Sequence, residues 1–210
     1  MNADLKGRVN ELREGKVSKL IDQRMREFKD LNRKSNEQWF SELCFCILTA
    51  NSTARLGMKI QRELGSEGFL KLSLEELRHK LRAAGHRFSN TRAHFIVEAR
   101  RFRNIKNIVE RFEDARQARD WLVENVKGVG YKESSHFLRN VGFDNLAILD
   151  RHVLSVLHEY GLIDEVPRSL TCGRYLEIEE KLVELSEKLG LTLGELDLYL
   201  WYLKTGEVLK

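Results

Sequence analysis

The chain has 210 residues, of which 42% are hydrophobic and 32% are charged, a composition typical of a folded globular protein rather than a disordered one. The longest mainly apolar run, residues 43–50, is too short to span a bilayer, and the first residues lack the apolar stretch of a signal peptide, so a cytoplasmic protein is expected. The three cysteines cannot build a disulfide framework and show no metal-ligand spacing, so no metal site is predicted.

Taken in chain order, nearly every segment predicts an α-helix. Apolar residues recur at three- and four-residue steps over residues 17–31, which is the pattern of one buried helix face. Residues 39–50 are apolar on almost all sides and therefore predict a central, buried helix. Helix starts are marked where a Ser, Asp or Thr is followed three residues later by Gln or Glu, at Ser35, Ser73, Asp114 and Thr192.

Glycines follow the periodic segments, where a left-handed residue would end a helix, at positions 65, 85, 128, 161, 190 and 206. No stretch alternates apolar and polar residues between turn signals, so strands are not expected. At the usual lengths of helices and loops, the sequence predicts an all-α protein of roughly ten or eleven helices.

Charge is distributed unevenly along the chain. Residues 78–106 contain nine Lys or Arg, three His and one acidic residue, whereas residues 161–197 contain nine acidic residues and four Lys or Arg. This asymmetry predicts one basic face that binds a polyanion, and nucleic acid is the commonest such partner. The alternative is an ordinary solvated helix surface.

One glycine-containing turn is the candidate centre of the chemistry. A helix is predicted to end near Val126, the turn holds Gly128 and Gly130, and a new helix begins at once and runs to about Val141. Glycines let the backbone approach a ligand closely, and the free N–H groups of a new helix favour phosphate. Such turns are also common between helices that bind nothing, so the turn alone leaves both interpretations open.

Lys132 and Asp150 make the turn more informative. Lys132 lies in the first turn of the new helix, where the helix dipole disfavours an ammonium and so favours the neutral amine of a nucleophile. Asp150 stands eighteen residues later, directly before the next predicted helix, residues 151–160. A hairpin of helices could bring both groups to one cleft. The alternatives are an ordinary surface lysine and an aspartate that only caps its helix.

Two runs of residues resemble the helix-hairpin-helix DNA glycosylase superfamily: Gly128-Val129-Gly130-Tyr131-Lys132 and Leu149-Asp150-Arg151-His152-Val153. The resemblance covers most of the chain, because residues 43–55 look like the helix and loop before the lesion cleft. Residues 201–210 are similar to the end of the archaeal-type, or type 2, 8-oxoguanine DNA glycosylase/lyases. The resemblance implies two helical lobes with a cleft between them: a helical barrel over residues 35–125, and a second lobe that joins residues 1–34 to residues 126–210.

The resemblance also implies a bifunctional repair enzyme, which excises 8-oxoguanine from double-stranded DNA and then cleaves the strand. Lys132 would be the nucleophile that forms a Schiff base with the sugar, Asp150 would be its carboxylate partner, and β-elimination would break the strand. Gly128 and Gly130 would hold the DNA backbone, often with a monovalent cation in this family. The chemistry would need no cofactor, and a monomer is expected.

The resemblance assigns base recognition to Phe88, Trp201 and Lys210. The two aromatic rings would stack on the base, and the free carboxylate of Lys210 would accept the proton that 8-oxoguanine carries on N7. By their pattern alone, both aromatic residues also fit core positions. Arg87 and Asn51 are further candidates, for contact with the opposite base or for filling the gap in the duplex.

Two departures from the family pattern bear on the assignment. Many relatives have Leu-Pro before the glycines, whereas this chain has Val126-Lys127, which puts a second lysine beside the proposed nucleophile. The four-cysteine iron–sulfur cluster of the endonuclease III branch is absent, because the last cysteine is Cys172, and this favours the 8-oxoguanine branch. The alternatives are a glycosylase/lyase for another oxidised base, and a non-enzymatic helix-hairpin-helix DNA-binding module, which would not need Lys132 with Asp150.

Overall fold

A computed structural model describes residues 4–210, and every regular element in that range is helical, so the predicted all-α class is confirmed. The chain forms twelve α-helices there, slightly more than predicted, and one 3-10 turn at Arg100–Phe102. The helices are α1 (Leu5–Glu14), α2 (Lys16–Asn32), α3 (Asn36–Thr49), α4 (Ala54–Lys71), α5 (Leu74–Ala83), α6 (Ser89–Ala99), α7 (Ile105–Val109), α8 (Ala115–Asn125), α9 (Tyr131–Asn140), α10 (Arg151–Glu159), α11 (Cys172–Leu189) and α12 (Leu193–Thr205). Over residues 4–210, no helix combines the length and the apolar character needed to cross a membrane.

Helix α3 is the centre of the fold. Every residue from Trp39 to Thr49 is buried, as the nearly uniform apolar sequence predicted. The helix packs against α4, α6, α7 and α9. The loop after it turns sharply at Asn51, whose φ of 57° lies in the left-handed region, where Asn is more common than most other residues.

Two hydrophobic cores divide the molecule. The first surrounds α3 and is built from residues between Trp39 and Leu146. The second joins α1 and α2 to residues between Ala147 and Leu200. Helix α9 follows the predicted lobe boundary at residues 125–126, yet its Phe137 and Leu138 belong to the first core. The hairpin therefore lies where the two cores meet, and the proposed lobe limits stay a prediction.

Helix starts follow the predicted capping signals, with one exception. Ser73 and Thr192 form complete capping boxes, and the side chain of Asp114 accepts a main-chain N–H of its own first turn. Ser35 is the N-cap of α3, but its side chain makes no capping hydrogen bond, so the box predicted there is wrong.

Glycines with positive φ mark predicted helix ends. Gly190 and Gly206 are left-handed C-caps of α11 and α12, as predicted. Gly65, with φ 59°, has non-helical dihedral angles and separates α4 into two helical stretches across a kink, so the first stretch ends there as predicted.

Part of the basic segment is used inside the protein. Arg92, Arg100 and Lys106 each donate to main-chain carbonyl oxygens, at 2.7 Å, 2.6 Å and 2.8 Å respectively. Burial lowers the pKa of Arg92 and of Arg100. These three cations hold loops and helix ends together, so the count of basic residues overstates the charge available to a polyanion.

Candidate active site

A cavity of about 650 Å³ opens where α9, α10 and α12 meet the loop that follows α3. Both residues predicted to be catalytic, Lys132 and Asp150, line it. Lys132 is the second residue of α9, and Asp150 is the N-cap of α10, so the hairpin and the short loop after α9 bring two helix starts to one space. The structure thus brings together a primary amine and a carboxylate that are eighteen residues apart in sequence.

The immediate partner of Lys132 is Glu133. The side chain of Lys132 is one quarter exposed, and its Nζ lies 2.8 Å from Oε1 of Glu133. The other carboxylate oxygen of Glu133 accepts the Gly130 N–H at 3.3 Å. Across residues 4–210, no ion pair joins Lys132 to Asp150. Glu133 therefore links the hairpin turn to the proposed nucleophile, and the amine must leave it to reach a sugar in the cavity.

Asp150 is held by three donors. Its Oδ1 accepts the main-chain N–H groups of His152 and Val153, both at 2.8 Å, and its Oδ2 accepts the indole N–H of Trp201 at 3.1 Å. The two main-chain bonds are those of a helix N-cap. The bond from Trp201 fixes the second oxygen, so the carboxylate is oriented from both sides while it lines the cavity.

The hairpin turn depends on Gly128 more than on Gly130. Gly128 has φ 80°, and a Cβ built there would come within 2.2 Å of the Phe95 ring. Gly130 has φ −100° and serves as the N-cap of α9, where the nearest atom to a built Cβ is a Glu133 oxygen at 3.4 Å. Only the first position requires glycine for its backbone conformation and for space.

The three residues predicted to recognise the base do not all line this cavity. Trp201 and Lys210 do, and so does Asn51. Phe88 does not belong to the described lining; it is the N-cap of α6, with the guanidinium of Arg87 over its ring at 5.2 Å. The cavity wall is therefore completed by α12 and the residues after it rather than by the start of α6.

The residues after α12 return to the first half of the molecule. Glu207 forms an ion pair with Arg55 of α4. The Nζ of Lys210 lies 2.8 Å from Oε2 of Glu42 on α3. Residues 207–210 thus run from α12 to α3 and α4 beside the cavity.

Comparison with known families decides the classification. A family model described as 8-oxoguanine DNA glycosylase matches residues 21–191, which is most of the chain. The chain belongs to the 8-oxoguanine DNA glycosylase family. The family that the sequence predicted is thereby confirmed, whereas the roles of the hairpin, of Lys132 and of Asp150 stay predictions.

Similar proteins of the family match over almost their whole length. An 8-oxoguanine DNA glycosylase/AP lyase of Methanocaldococcus jannaschii is 57% identical over 203 residues, which are 97% of this chain and 98% of that protein. One of Korarchaeum cryptofilum is 51% identical over 208 residues, or 99% of this chain and 98% of that protein. The crystal structure of the M. jannaschii glycosylase/lyase with a 15mer DNA containing 8-oxoguanine has a TM-score of 0.97 at 55% identity and covers 99% of this chain and 100% of that chain.

Two residues of the cavity wall, His136 and Arg139, were not predicted from the sequence. His136 and Arg139 lie one and two helical turns after Lys132, and all three line the cavity. Arg139 forms a buried ion pair with Asp197 of α12. Burial raises the pKa of Asp197, and the Arg139 guanidinium opposes that rise. The signal that could have found His136 and Arg139 is their spacing of four and seven residues from Lys132, which puts all three on one helix face.

Proposed function

We propose that this protein excises 8-oxoguanine from double-stranded DNA and then cleaves the strand at the resulting abasic site. The observation that carries the proposal is the cavity beside the hairpin, where Lys132 and Asp150 lie at two adjacent helix starts. The family to which the chain belongs supports the substrate, because its close relatives bear the name 8-oxoguanine DNA glycosylase/AP lyase.

A base inside a duplex cannot reach such a cavity, so the nucleotide must rotate out of the helix, at a cost of a few kcal/mol of stacking. Trp201, which lines the cavity, would stack on the base. Phe88 would contribute only if it moved in from the start of α6, since it lies outside the lining. Asn51 at the cavity and Arg87 near Phe88 remain the candidates for contact with the opposite base or for filling the gap in the duplex.

Lys132 would carry the first chemical step. Its neutral amine attacks C1′ of the sugar and gives up a proton as the new C–N bond forms; the bond from C1′ to the base breaks, and the base leaves with that electron pair and takes up a proton. The Asp150 carboxylate would stabilise the positive charge that develops on the sugar ring. Its three hydrogen bonds hold it in place for that task without a reorganisation step.

Strand cleavage would follow from the Schiff base that forms once the sugar ring opens. The protonated imine makes the C2′ proton acidic; when that proton is removed, the bond from C3′ to its oxygen breaks and the 3′ phosphate leaves with the electron pair. Water then releases Lys132. Because the nucleophile is an amine, base excision and strand cleavage use one residue.

The hairpin would hold the DNA backbone through main-chain groups at Gly128 and Gly130, with the N-terminus of α9 behind them. A monovalent cation would fit the same turn through main-chain carbonyl oxygens of residues 126–130 and would offset phosphate charge, although the carbonyls of Val126 and Gly130 already accept internal N–H groups. The chemistry itself needs no cofactor. A monomer suffices, because all these groups come from one chain.

A panel of duplexes that each contain one defined lesion tests the proposal. With borohydride present, 8-oxoguanine duplexes should yield a covalent protein–DNA adduct, and without it they should yield cleaved strands. Duplexes with an oxidised pyrimidine at the same position are the matched comparison. Faster processing of the oxidised pyrimidine would support a different oxidised base as the natural substrate, and no adduct with any duplex would contradict the lysine mechanism.

A further inference from the structure

Lys210 occupies a wall between two cavities. It borders the cavity that holds Lys132 and Asp150, and it also borders a smaller neighbouring one with Gln61. Leu209 lines only the first of the two. Lys210 thus lies between the proposed lesion site and the side chains that line the smaller cavity.

Two residues bind the ammonium of Lys210 on the far side of that wall. Nζ lies 2.8 Å from Oε2 of Glu42 and 2.6 Å from Oε1 of Gln61, and it sits 4.4 Å from the centre of the Phe45 ring. The side chain of Lys210 is only 17% exposed, and that of Glu42 only 3%. A long, flexible side chain at this end of the described chain is therefore fixed at its tip.

Glu42 depends on this contact for its neutralisation. It is the one charged residue of the buried stretch Trp39–Thr49 of α3, and its remaining partners are the neutral amide groups of Gln61, at 3.0 Å, and Asn140, at 2.7 Å. Lys210 is its single ion-pair partner among residues 4–210. A buried carboxylate that loses its one cation is strongly unfavourable, so the pair holds Lys210 in place as firmly as it holds Glu42.

We propose that Glu42 and Gln61 are positioning residues for base selectivity, which seat the Lys210 side chain so that the main chain of Leu209 and Lys210 forms the wall that meets the flipped base. The inference rests on the proposed function. Glu42 and Gln61 do not belong to the described lining of the lesion cavity, so they act on the base only through Lys210. A main-chain acceptor at that wall would bond to the N7 proton that distinguishes 8-oxoguanine from guanine, and would be left unpaired by guanine.

The contact also reaches the helix of the nucleophile. Asn140, which donates to Glu42, ends α9, the helix that starts beside Lys132. It accepts in turn from Arg139 at 2.9 Å. The seat of Lys210 is thereby built on the same rigid helix as the proposed nucleophile, which fixes the distance between the group that reads the base and the group that attacks the sugar.

The test compares two substrates in single-turnover reactions: a duplex with one 8-oxoguanine, and the same duplex with a preformed abasic site. Glu42→Gln removes the charge with little change of shape, and Lys210→Met removes the ammonium but keeps the main chain. Each is expected to slow excision of 8-oxoguanine about 10- to 100-fold, the scale on which a misplacement of roughly one ångström slows a reaction, and to change abasic-site cleavage by less than about twofold. The double variant should be no slower than the slower single variant, because its second change removes a partner already lost.

The controls separate seating from stability. Glu67→Gln breaks an exposed ion pair with Lys71 on α4 and should leave both rates unchanged. Lys210→Arg keeps a cation and should retain most of the selectivity. Thermal unfolding checks each variant, and the partly exposed Lys210 keeps the test open if Glu42→Gln fails to fold.

Three outcomes would overturn the inference. The losses could multiply in the double variant, the two substrates could lose rate in parallel, or the Lys210→Met variant could retain the wild-type ratio of the two rates. In each of these, a wild-type protein that excises 8-oxoguanine leaves the proposed function intact. A wild-type protein that acts on neither duplex would instead overturn the proposed function, and this inference with it.

Discussion

Lys132 and Asp150 owe their places in the cavity to the starts of two helices. Lys132 lies in the first turn of α9, and Asp150 caps α10 through two main-chain N–H groups. The first turn of a helix sets the direction of the side chains at its start. The hairpin before α9 and the loop before α10 thus direct Lys132 and Asp150 into the cavity. Glu133 then forms an ion pair with Lys132, and Trp201 donates a hydrogen bond to Asp150. The position of each group thus follows from local geometry, and its partners follow from packing.

For Lys132, we expect Lys132→Gln to abolish both base excision and the borohydride adduct while DNA with the lesion still binds, because only the nucleophilic amine is lost. Gel analysis of adducts and a separate binding assay check this. Lys188→Gln, which breaks an exposed pair with Glu184 on α11, is the matched control and should leave adduct formation unchanged. An adduct that persists in Lys132→Gln would point to another lysine, with Lys127 as the first candidate.

For Asp150, we expect Asp150→Asn to slow excision by roughly two orders of magnitude or more, the scale of a lost electrostatic stabiliser. It should also lower the free energy of unfolding by up to about 1 kcal/mol, because asparagine caps a helix as well as aspartate does but lacks the negative charge that the helix dipole favours. Asp114→Asn changes a capping aspartate at the start of α8 and should affect stability alone. If both variants lose stability and neither loses rate, Asp150 is only a cap.

Buried His136 should make the free energy of unfolding depend on pH on the acid side. Burial, helped by the positive charges of Arg139, Lys132 and Lys210, lowers the pKa of His136 well below its ordinary value. The unfolded chain therefore takes up the proton more readily than the folded one. The stability that depends on neutral His136 is complete above the unfolded-state pKa of about 6.5 and is lost as pH falls toward the lower folded-state pKa.

Urea unfolding at about pH 7.5 and about pH 5.5 measures this effect. Wild type should lose more stability between the two than His136→Gln, in which the group that titrates is gone. The comparison between variants matters, since buried Asp197, with its raised pKa, has the opposite dependence on pH. Equal losses in both proteins would show that His136 does not control the acid response.

At the scale of elements, the turn between α8 and α9 restricts which residues it can contain. We expect Gly128→Ala to lower the free energy of unfolding by at least about 1–2 kcal/mol, because a left-handed backbone disfavours a Cβ and this Cβ would collide with Phe95. Gly130→Ala is the matched variant and should change it by less than about 1 kcal/mol, since Gly130 has a negative φ and more room. Denaturant unfolding of the pair decides the matter, and equal losses would contradict the description of the turn.

Helix starts were predictable where a local hydrogen bond decides them. The capping boxes at Ser73 and Thr192 need only residues three positions apart, and both are present. Ser35 has the same pattern and is the N-cap of α3, but its side chain makes no capping bond. Helix α3 is buried from Trp39 to Thr49, so packing stabilises it without that bond, which is typically worth about 1 kcal/mol.

At the scale of the whole molecule, the cavity lies at the junction of two cores, and the basic residues around it divide into structural and exposed ones. Arg100 is bound to two main-chain carbonyls, whereas Lys127 in the hairpin is 61% exposed and its ion pair, with Glu98 at 3.3 Å, lies at the surface. A cation already committed to internal carbonyls is not free for phosphate. This distinction changes which residues we expect to contact DNA.

Binding to undamaged duplex should weaken steeply as salt rises, because each neutralised phosphate releases counterions. Lys127→Gln should reduce the slope of log affinity against log salt by about one. Arg100→Ser should instead lower thermal stability and leave the slope unchanged, because its hydrogen bonds hold the end of α4. If Lys127→Gln leaves the slope as in wild type, the hairpin does not carry that phosphate contact.

Several features could be read from the sequence by itself. The all-α class, the central helix α3, the hairpin and the pair of Lys132 with Asp150 follow from apolar periodicity, from capping residues and from short spacings. These signals act between residues that are close in sequence, so the sequence states them directly. The family resemblance added the substrate, which residue patterns alone left open.

Only the tertiary structure decided which side chains contact each other. The contact of Lys210 with Glu42 joins residues 168 positions apart, Trp201 reaches Asp150 across 51 positions, and Phe88 falls outside the cavity that it was expected to line. Arg100 looked like a surface cation and proved to be bound to carbonyls of α4 and its end. Such contacts depend on how helices from both cores pack, and a buried charge takes whichever partner that packing brings within reach, a choice that no local pattern records.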